Sequence, residues 1–353
     1  MTNIVIRSDE INAAATALSM AAAAHTVVLE GQVLGPGQHT FEFLGERTTV
    51  QLASFEELRP DDPTVAVVFA EGESASAGIE QILATVTPDL FVLIGGGVTA
   101  VVEALNTVDR HGIDPAAVLH VGSFIVNGTH LGVKAEKRNV LAGFLGDNPS
   151  DELVKLAQDT FPHITIGEGA VVALSSVNAF MHLPPMLLNA MNVERGDELR
   201  FYVEGFGDSV CSLLEALDKD RIALGLALGL QLTPVPELLD MSRGPQGLPG
   251  TTLREKINSF PAYQNIKLPS SFQHRYCAHE LRSTFAPLSQ IAEVVGVQVP
   301  TIQAVVRLGE ILLQTDLSAP ARSDARTFVA HLRSQRERSH KALQQPEGIA
   351  TLK

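Results

Sequence analysis

The first half of the chain alternates short runs of β-branched residues with stretches rich in alanine and leucine. Such apolar runs predict buried strands, and their alternation with helical stretches predicts parallel βαβ units. This order favours an α/β fold, a doubly wound parallel sheet of Rossmann type. The predicted strands cover residues 3–6, 26–29, 64–69, 90–94, 118–121, 131–135, 140–144 and 164–166, and the predicted helices cover 12–24, 74–85 and 99–109.

A segment rich in glycine and proline separates the second predicted strand from the third. Within residues 31–54, apolar side chains alternate with polar ones, as at Phe41 and Phe43 and again at Val50 and Leu52. Alternation of this kind predicts a small β-hairpin inserted into the domain.

From about residue 175 the apolar residues recur at helical spacing, and β-branched runs nearly vanish. We therefore predict two domains, a Rossmann-like domain over 1–172 and an all-helical domain over 173–353. The stretch 321–353 carries seven Lys or Arg against three Asp or Glu; it is either a solvated final helix or a segment that docks on an acidic partner. Helices are predicted at 185–191, 208–228, 234–240, 252–259, 281–294 and 300–315.

Charge limits the partners that this chain can have. Its 353 residues are 45% hydrophobic and carry a formal net charge of −14. This charge repels phosphate backbones and anionic lipid, so we expect neither nucleic acid nor a membrane surface as a partner. We expect small-molecule ligands. Neither a signal peptide nor a membrane span is predicted, because the longest apolar stretches are shorter than a bilayer requires.

Cysteine and histidine spacing indicates neither a disulfide framework nor a metal site. The two cysteines, Cys211 and Cys277, form no CxxC pair, which fits a cytoplasmic location. The histidines His120, His130 and His163 fall in separate predicted elements, so we expect no metal.

The turn between the first strand and the first helix lacks the glycines of a dinucleotide site. In Rossmann folds these glycines let backbone amides approach a pyrophosphate at the helix N-terminus. Counted back from Glu30, which ends the second strand, their positions hold Arg7, Asp9 and Asn12. Asp9 and Glu10 bring negative charge and bulk to the place of the pyrophosphate. Alternatively, Asp9 or Ser8 caps the helix and Glu10 interacts with the helix dipole.

Two further features allow contact with a nucleotide. Glu30 stands where a carboxylate binds ribose in Rossmann folds. Gly95, Gly96 and Gly97 follow a predicted strand and open a helix, so their amides can hold a phosphate, a ribose or a carboxylate. The alternatives are a solvated strand end and an ordinary strand-to-helix turn.

Several blocks of the second half occur in a family-specific order, beginning with FYVEGFGDSV at residues 201–210. Together they resemble the helical domain of octopine/nopaline-type opine dehydrogenases. The resemblance covers roughly 175–316, and 1–170 by topology and spacing only. It implies an enzyme that reduces the imine of an amine and an α-keto acid with NADH or NADPH, and a homodimer. The later blocks are FPAYQNIK at 260–267, HRY at 274–276 and the segment 287–302.

The resemblance also implies a catalytic pair. The segment around His182 resembles an Asn-x-x-x-His-Pro element, with the proline displaced by one position to Pro184. The acidic partner, five residues after Arg275, is Glu280, where the family has Asp preceded by Glu; here His279 precedes it. An imidazole takes a proton from an amine or polarises a keto oxygen near neutral pH, and a neighbouring carboxylate orients it.

The remaining candidates surround this pair. Arg275 is suited to a bidentate clamp on a substrate carboxylate, or else to a structural ion pair. His279, Asn189 and Glu204 are candidate substrate-binding residues, and the alternative for the last two is that they satisfy backbone groups or cap helices. For His182 the alternative is a satisfied core histidine.

Three functional hypotheses follow. The first is an opine-dehydrogenase-like oxidoreductase of amino acid metabolism that joins an amine and an α-keto acid and uses NADH or NADPH. The second keeps the His/Glu pair for condensation, cyclisation or elimination without a nicotinamide, as the lost glycines predict. The third is a binding protein that has lost the reaction.

Overall fold

The structure is a computed structural model that describes residues 1–31, 33–70 and 74–344. Its strands are β1 (Asn3–Arg7), β2 (Thr26–Glu30), β3 (Gly37–Phe43), β4 (Glu46–Leu52), β5 (Thr64–Phe69), β6 (Leu90–Ile94), β7 (Val118–Val121), β8 (Val126–Thr129), β9 (Gly132–Glu136), β10 (Val140–Phe144) and β11 (Ile164–Glu168).

Helices cover the sheets and make up the named elements after β11 in the described part of the chain. They are α1 (Ile11–Ala22), α2 (Ala75–Leu83), α3 (Gly97–Arg110), α4 (Asp151–Thr160), α5 (Gly169–Ala173), α6 (Val177–Leu188), α7 (Ala190–Arg195), α8 (Asp208–Ala227), α9 (Val235–Arg243), α10 (Leu253–Ser259), α11 (Ala278–Glu280), α12 (Ala286–Val295), α13 (Pro300–Leu313) and α14 (Ser318–Gln344). A π-helical turn, Leu281–Phe285, joins α11 to α12.

The central sheet has seven strands in the order β11-β10-β7-β6-β5-β1-β2. All neighbours are parallel except β10 and β7, which are antiparallel. The middle strands read as unbroken apolar runs because helices cover both faces of the sheet; every residue of β6 is buried. The predicted α/β domain followed by a helical domain is confirmed.

A second, four-stranded sheet has the order β4-β3-β9-β8. The predicted hairpin insert is present as β3 and β4. The prediction that residues 131–135 join the main sheet is wrong, because β9 pairs with β3 and β8. The small sheet covers α1, whose alanines permit close approach: a Cβ on Gly128 would lie 3.0 Å from the Cβ of Ala15.

The last helix, α14, ties the two domains together. It packs on α12 and also on α3. His331 and Gln335 both donate hydrogen bonds to the carbonyl of Leu145, at 2.8 and 2.9 Å. The predicted final helix is present and its basic residues, such as Arg326 and Arg333, are exposed, but an apolar stripe that includes Phe328 and Leu332 is buried. The basic residue Lys353 lies outside the described residues.

One helical stretch among the described residues, Gly169–Leu188, has the length and mean hydropathy of a membrane span. It comprises α5 and α6, and 78% of its apolar window is buried inside the fold. This stretch is therefore a core element, and its apolar side chains pack against both domains.

Candidate active site

A cavity of about 600 Å³ lies between the two domains. Its N-terminal wall comes from the start of α1, the segment after β7, and β8 and β9. Its helical wall comes from α6, α9 and the segments 202 and 260–276. The polar and charged residues that line it include Asn12, Lys134, Lys137, Asn178, His182, Arg243 and Arg275.

His182 and Glu280 meet at the wall of this cavity. Nδ1 of the imidazole lies 2.6 Å from Oε1 of the carboxylate. The two residues are 5% and 3% exposed. Burial raises the pKa of the Glu280 carboxyl, and the charges of His279 and Arg275 act in the opposite direction. With Nδ1–H donating to the carboxylate, Nε2 is the ring atom that can exchange a proton with a ligand in the cavity.

Aromatic packing fixes the orientation of the imidazole. The ring of Tyr276 stacks on His182, with centroids 3.8 Å apart and planes inclined by 16°. Phe201 contacts both rings, at 6.4 Å from His182 and 5.0 Å from Tyr276. The ring therefore has little room to rotate away from Glu280.

A buried ion pair supports the helix that carries His182. Arg221, in α8, is 0% exposed and binds Asp218 with its Nε atom at 2.8 Å. Its guanidinium also donates to the carbonyls of Leu174 and Thr233, and lies over the ring of Phe180. These contacts anchor the junction between α5 and α6, so the position of His182 depends on α8.

The cavity wall is strongly cationic. Lys134, Lys137, Arg243 and Arg275 line it, and none of its described lining residues is acidic. Lys137 is 4% exposed and donates to Ser123 at 2.7 Å, while Arg243 is 8% exposed and donates to the hydroxyl of Tyr263 at 2.5 Å. Such a wall favours ligands that carry carboxylates.

Sequence reasoning missed most of this wall. Lys134, Lys137 and Arg243 have no motif that marks them. The chain has three tyrosines, and all of them, Tyr202, Tyr263 and Tyr276, line the cavity. Each lies in a block that the sequence analysis singled out, so the confinement of tyrosine to these blocks was a usable signal.

Arg275 lines the cavity and also reaches the N-terminal domain. Its guanidinium carbon lies 5.5 Å from the ring centroid of Phe124, and its Nη1 lies 3.8 Å from Oε1 of Glu10. The residue thus stands between the first turn of α1 and the His182–Glu280 pair. Its contact with Glu10 is the ion pair that the sequence offered as one alternative, and the clamp on a carboxylate stays a prediction.

Three predicted substrate-binding residues do not line the cavity. The side-chain amide of Asn189 donates to the carbonyls of Pro185 and Gly205, both at 2.8 Å, which joins the end of α6 to the following loop. Glu204 is exposed and pairs with Arg200. His279 lies beside Glu280, outside the lining of the cavity, so its described effect is electrostatic.

The β1–α1 turn is closed by its own side chains. Glu10 is the N-cap of α1, and its Oε2 accepts from the amide of Asn12 at 2.5 Å. The side chain of Arg7 forms an ion pair with Glu30. A Cβ on Gly31 would lie 2.6 Å from the Ser8 carbonyl, which shows how closely β2 approaches the turn.

These residues do not fit a nicotinamide dinucleotide in the position that Rossmann folds give it. An amide in the first turn of α1, that of Asn12, is already bonded to Glu10, and the carboxylates of Asp9 and Glu10 repel phosphate. Glu30, the predicted ribose ligand, is engaged by Arg7. A cavity of about 450 Å³ remains beside the turn, lined by Arg7, Asp9 and Glu30.

The glycines after β6 form a contact between the domains. Gly95, Gly96 and Gly97 all have positive φ, of 75°, 76° and 55°. A Cβ on Gly97 would lie 2.7 Å from the carbonyl of Ser283 in the π-helical turn, so a larger residue would push the domains apart. The structure does not bring these glycines to the lining of either cavity described above.

The helical domain matches a known family. Residues 168–313 match the family described as NAD/NADP octopine/nopaline dehydrogenase, alpha-helical domain. An opine dehydrogenase from Arthrobacter sp. is 35% identical over 151 residues, and a vitopine synthase from Allorhizobium ampelinum is 27% identical over 158 residues. These matches span 43% and 44% of this chain, and 41% and 43% of the relatives.

The whole fold also matches known structures. An octopine dehydrogenase solved with NADH and agmatine has a TM-score of 0.71 at 13% identity, over 94% of this chain and 96% of its own. A yersinopine dehydrogenase bound to NADP⁺ has a TM-score of 0.66 at 15% identity, over 95% and 99%. The two-domain architecture is therefore shared over nearly the full chain. The helical domain, which carries both His182 and Glu280, is thus similar to the helical domain of octopine/nopaline dehydrogenases, and the match covers less than half of this chain and of these relatives.

Proposed function

We propose that this protein is an opine-dehydrogenase-like enzyme that joins the amine of an amino acid to an α-keto acid. The observation that carries the proposal is the buried contact of 2.6 Å between His182 and Glu280 at the wall of a cationic cavity. A core histidine would not need a buried carboxylate partner, and a histidine at such a wall is placed to move protons.

The reaction begins with condensation. The amine nitrogen bonds to the keto carbon, and the keto oxygen leaves as water with the two amine hydrogens, which gives an imine. His182 relays these protons through Nε2, and Glu280 stabilises the imidazolium that forms between the transfers. The resemblance to opine dehydrogenases implies that a nicotinamide, where one is bound, would supply hydride to this imine. The proton transfers assigned to His182 precede that step.

The substrates that this cavity favours carry two or more carboxylates in total. An α-keto acid contributes one, and an amino acid contributes a second. Arg275 lies beside the catalytic pair and is suited to the keto-acid carboxylate, while Lys137 and Arg243 stand deeper in the wall and are suited to the second group. The negative protein surface repels such ligands elsewhere, so their binding concentrates in this cavity.

The test follows an α-keto acid whose keto oxygen carries a heavy isotope. Formation and hydrolysis of the imine replace that oxygen with solvent oxygen, so we expect the protein to accelerate label loss only when an amino acid is present. His182→Ala should lower this acceleration by about 10²–10⁴-fold. His111→Ala, at a surface pair with Glu80, is the matched control and should leave it unchanged. Mass spectrometry of the keto acid gives the readout.

Consumption of NADH and NADPH is followed in parallel with the same substrates. The proposal fails if a panel of amino acids and keto acids gives neither amine-dependent label loss nor consumption of either dinucleotide. Label loss without dinucleotide consumption supports the condensation and favours the hypothesis of a non-redox enzyme.

We further propose that the enzyme is a homodimer in the cytoplasm. Leu226 in α8 and Leu308 and Ile311 in α13 are 60%, 40% and 59% exposed, and pairing of two copies would bury them. The two cysteines are reduced and buried, as is usual in a reducing compartment. Light scattering of Ile311→Asp should report a smaller particle than the wild type, and cell fractionation tests the location.

A further inference from the structure

The N-terminus of α1 already holds an anion that belongs to the chain. The Glu10 carboxylate accepts from the Asn12 amide at 2.5 Å, and the Glu10 carbonyl accepts from the Ala13 amide at 2.9 Å. Its side chain is 11% exposed. In dinucleotide sites, amides of this first turn donate to pyrophosphate oxygens. Glu10 therefore meets the electrostatic need of the helix terminus without a ligand.

A second contact links this carboxylate to the active site. Oε1 of Glu10 lies 3.8 Å from Nη1 of Arg275, which lines the cavity of the catalytic pair. A guanidinium on one side and a helix N-terminus on the other form a complete anion-binding environment. A dinucleotide phosphate would have to displace Glu10 from both partners and would meet the charge of Asp9 as well.

We propose that Glu10 is a built-in substitute for the dinucleotide pyrophosphate and weakens the binding of NADH and NADPH by at least about tenfold. The proposal rests on the proposed function in one respect only, which is that the ligand excluded by Glu10 is a nicotinamide dinucleotide. It makes Glu10 a residue that decides cofactor use, and it explains why Arg7 and Glu30 can pair with each other where the family pattern has glycine and a ribose ligand.

Two substitutions separate the charge of Glu10 from its capping role. Glu10→Gln keeps an oxygen that can accept from the Asn12 amide and removes the charge. Glu10→Gly removes both and gives the turn a residue that permits close phosphate approach. Titration calorimetry and quenching of NADH and NADPH fluorescence measure the dissociation constants, and inorganic pyrophosphate serves as a probe of the anion site alone.

We expect graded tightening, with Glu10→Gln tighter than wild type and Glu10→Gly at least about tenfold tighter for NADH or NADPH. Glu152→Gln, in the first turn of α4, is the matched control and should leave the constants within about twofold. Tightening of less than tenfold by Glu10→Gly, with its fold verified by circular dichroism, overturns the proposal. Should Glu10→Gly fail to fold, the charge-only variant decides: tighter binding by Glu10→Gln supports the proposal, and unchanged binding overturns it.

The label-loss assay on the same variants distinguishes this proposal from the proposed function. It requires no dinucleotide, so its outcome reports on the condensation and not on cofactor affinity. Label loss with unchanged dinucleotide affinity overturns the role of Glu10 and leaves the condensation intact.

Discussion

The two walls of the candidate site resemble octopine/nopaline dehydrogenases to different degrees. In the helical domain, His182 and Glu280 are in contact and buried, and aromatic rings hold the imidazole. In the N-terminal domain, the turn that should receive a pyrophosphate contains Asp9 and Glu10, and Glu10 caps the helix itself. The His182–Glu280 contact is present, whereas the first turn of α1, where a phosphate would bind, is occupied by the Glu10 carboxylate.

This difference has a physical origin. A catalytic pair needs two side chains at one distance, and a dense core of aromatic and apolar residues maintains that distance. A turn that binds phosphate needs backbone amides that can donate to the ligand. A side chain with an acceptor oxygen can accept from the same amides and occupy the site. The carboxylate of Glu10, which caps α1, therefore occupies the place of a phosphate and stabilises the helix.

The strongest test of the helical half is the carboxylate partner. Glu280→Gln keeps the volume of the side chain but loses the charge that orients and stabilises the imidazolium, so we expect amine-dependent label loss to fall by about 10²–10⁴-fold. Glu280→Asp is the matched comparison, and it should retain more of the activity because the charge remains. Equal activity of Glu280→Gln and wild type would show that the His182–Glu280 pair takes no part in the reaction.

The scaffold beneath His182 is expected to be nearly as sensitive. Arg221→Met leaves the carboxylate of Asp218 buried without its partner, which should lower the free energy of unfolding by about 3–5 kcal/mol. The control is Arg307→Met, at an exposed pair with Glu310, with an expected loss below about 1 kcal/mol. Urea denaturation measures both. Equal losses would mean that Arg221 does not anchor α6.

The buried histidine of the N-terminal domain, His120, makes the stability of that domain sensitive to acid. Burial lowers the pKa of His120 to about 4, and the Gly95 carbonyl, which accepts from its Nε2, partly opposes this. The folded protein therefore resists protonation of His120, so its contribution to stability is present above the unfolded pKa of 6.5 and is lost as pH falls toward 4. The loss is about 3 kcal/mol.

Unfolding of wild type and His120→Leu by urea at pH 7 and pH 4 measures this effect. The variant should show a smaller loss between the two values, while His39→Leu, on the hairpin surface, should behave as wild type. A variant that loses as much stability as wild type would show that another group governs the acid response of this domain.

The smallest expected effect concerns the residue that connects the two halves. Arg275→Ala removes a cation from the wall beside His182, so we expect the apparent KM for the keto acid to rise about tenfold with a smaller change in kcat. Arg275→Lys should recover part of the affinity, because the charge remains and the bidentate geometry does not. An unchanged KM for Arg275→Ala would leave the contact with Glu10 as its structural role.

Local pattern was sufficient to predict most of the elements, and the resemblance to a known family supplied the catalytic candidates. Strand positions were predictable because buried parallel strands are apolar throughout, as at β5 and β6. The small sheet was predictable only in part, since the alternation in residues 31–54 indicates a hairpin but not its partner β9. The buried face of α14 was missed because its apolar residues are sparse among many charged ones.

The cationic wall required the fold, because its members come from distant parts of the chain. Lys134 and Lys137 lie in and after β9, whereas Arg243 ends α9, and no spacing rule connects them. The same holds for the contact between Glu10 and Arg275, which joins residues of two domains.

By itself, the sequence determined the order of strands and helices, the helical-domain family, the candidate pair and the loss of the fingerprint glycines, because each is written in local pattern or residue identity. Only the tertiary structure decided three further features. His182 and Glu280 are in contact, four cationic side chains line one cavity, and the Glu10 side chain occupies the N-terminus of α1. These are distances between segments far apart in the chain, and packing of the two domains sets them.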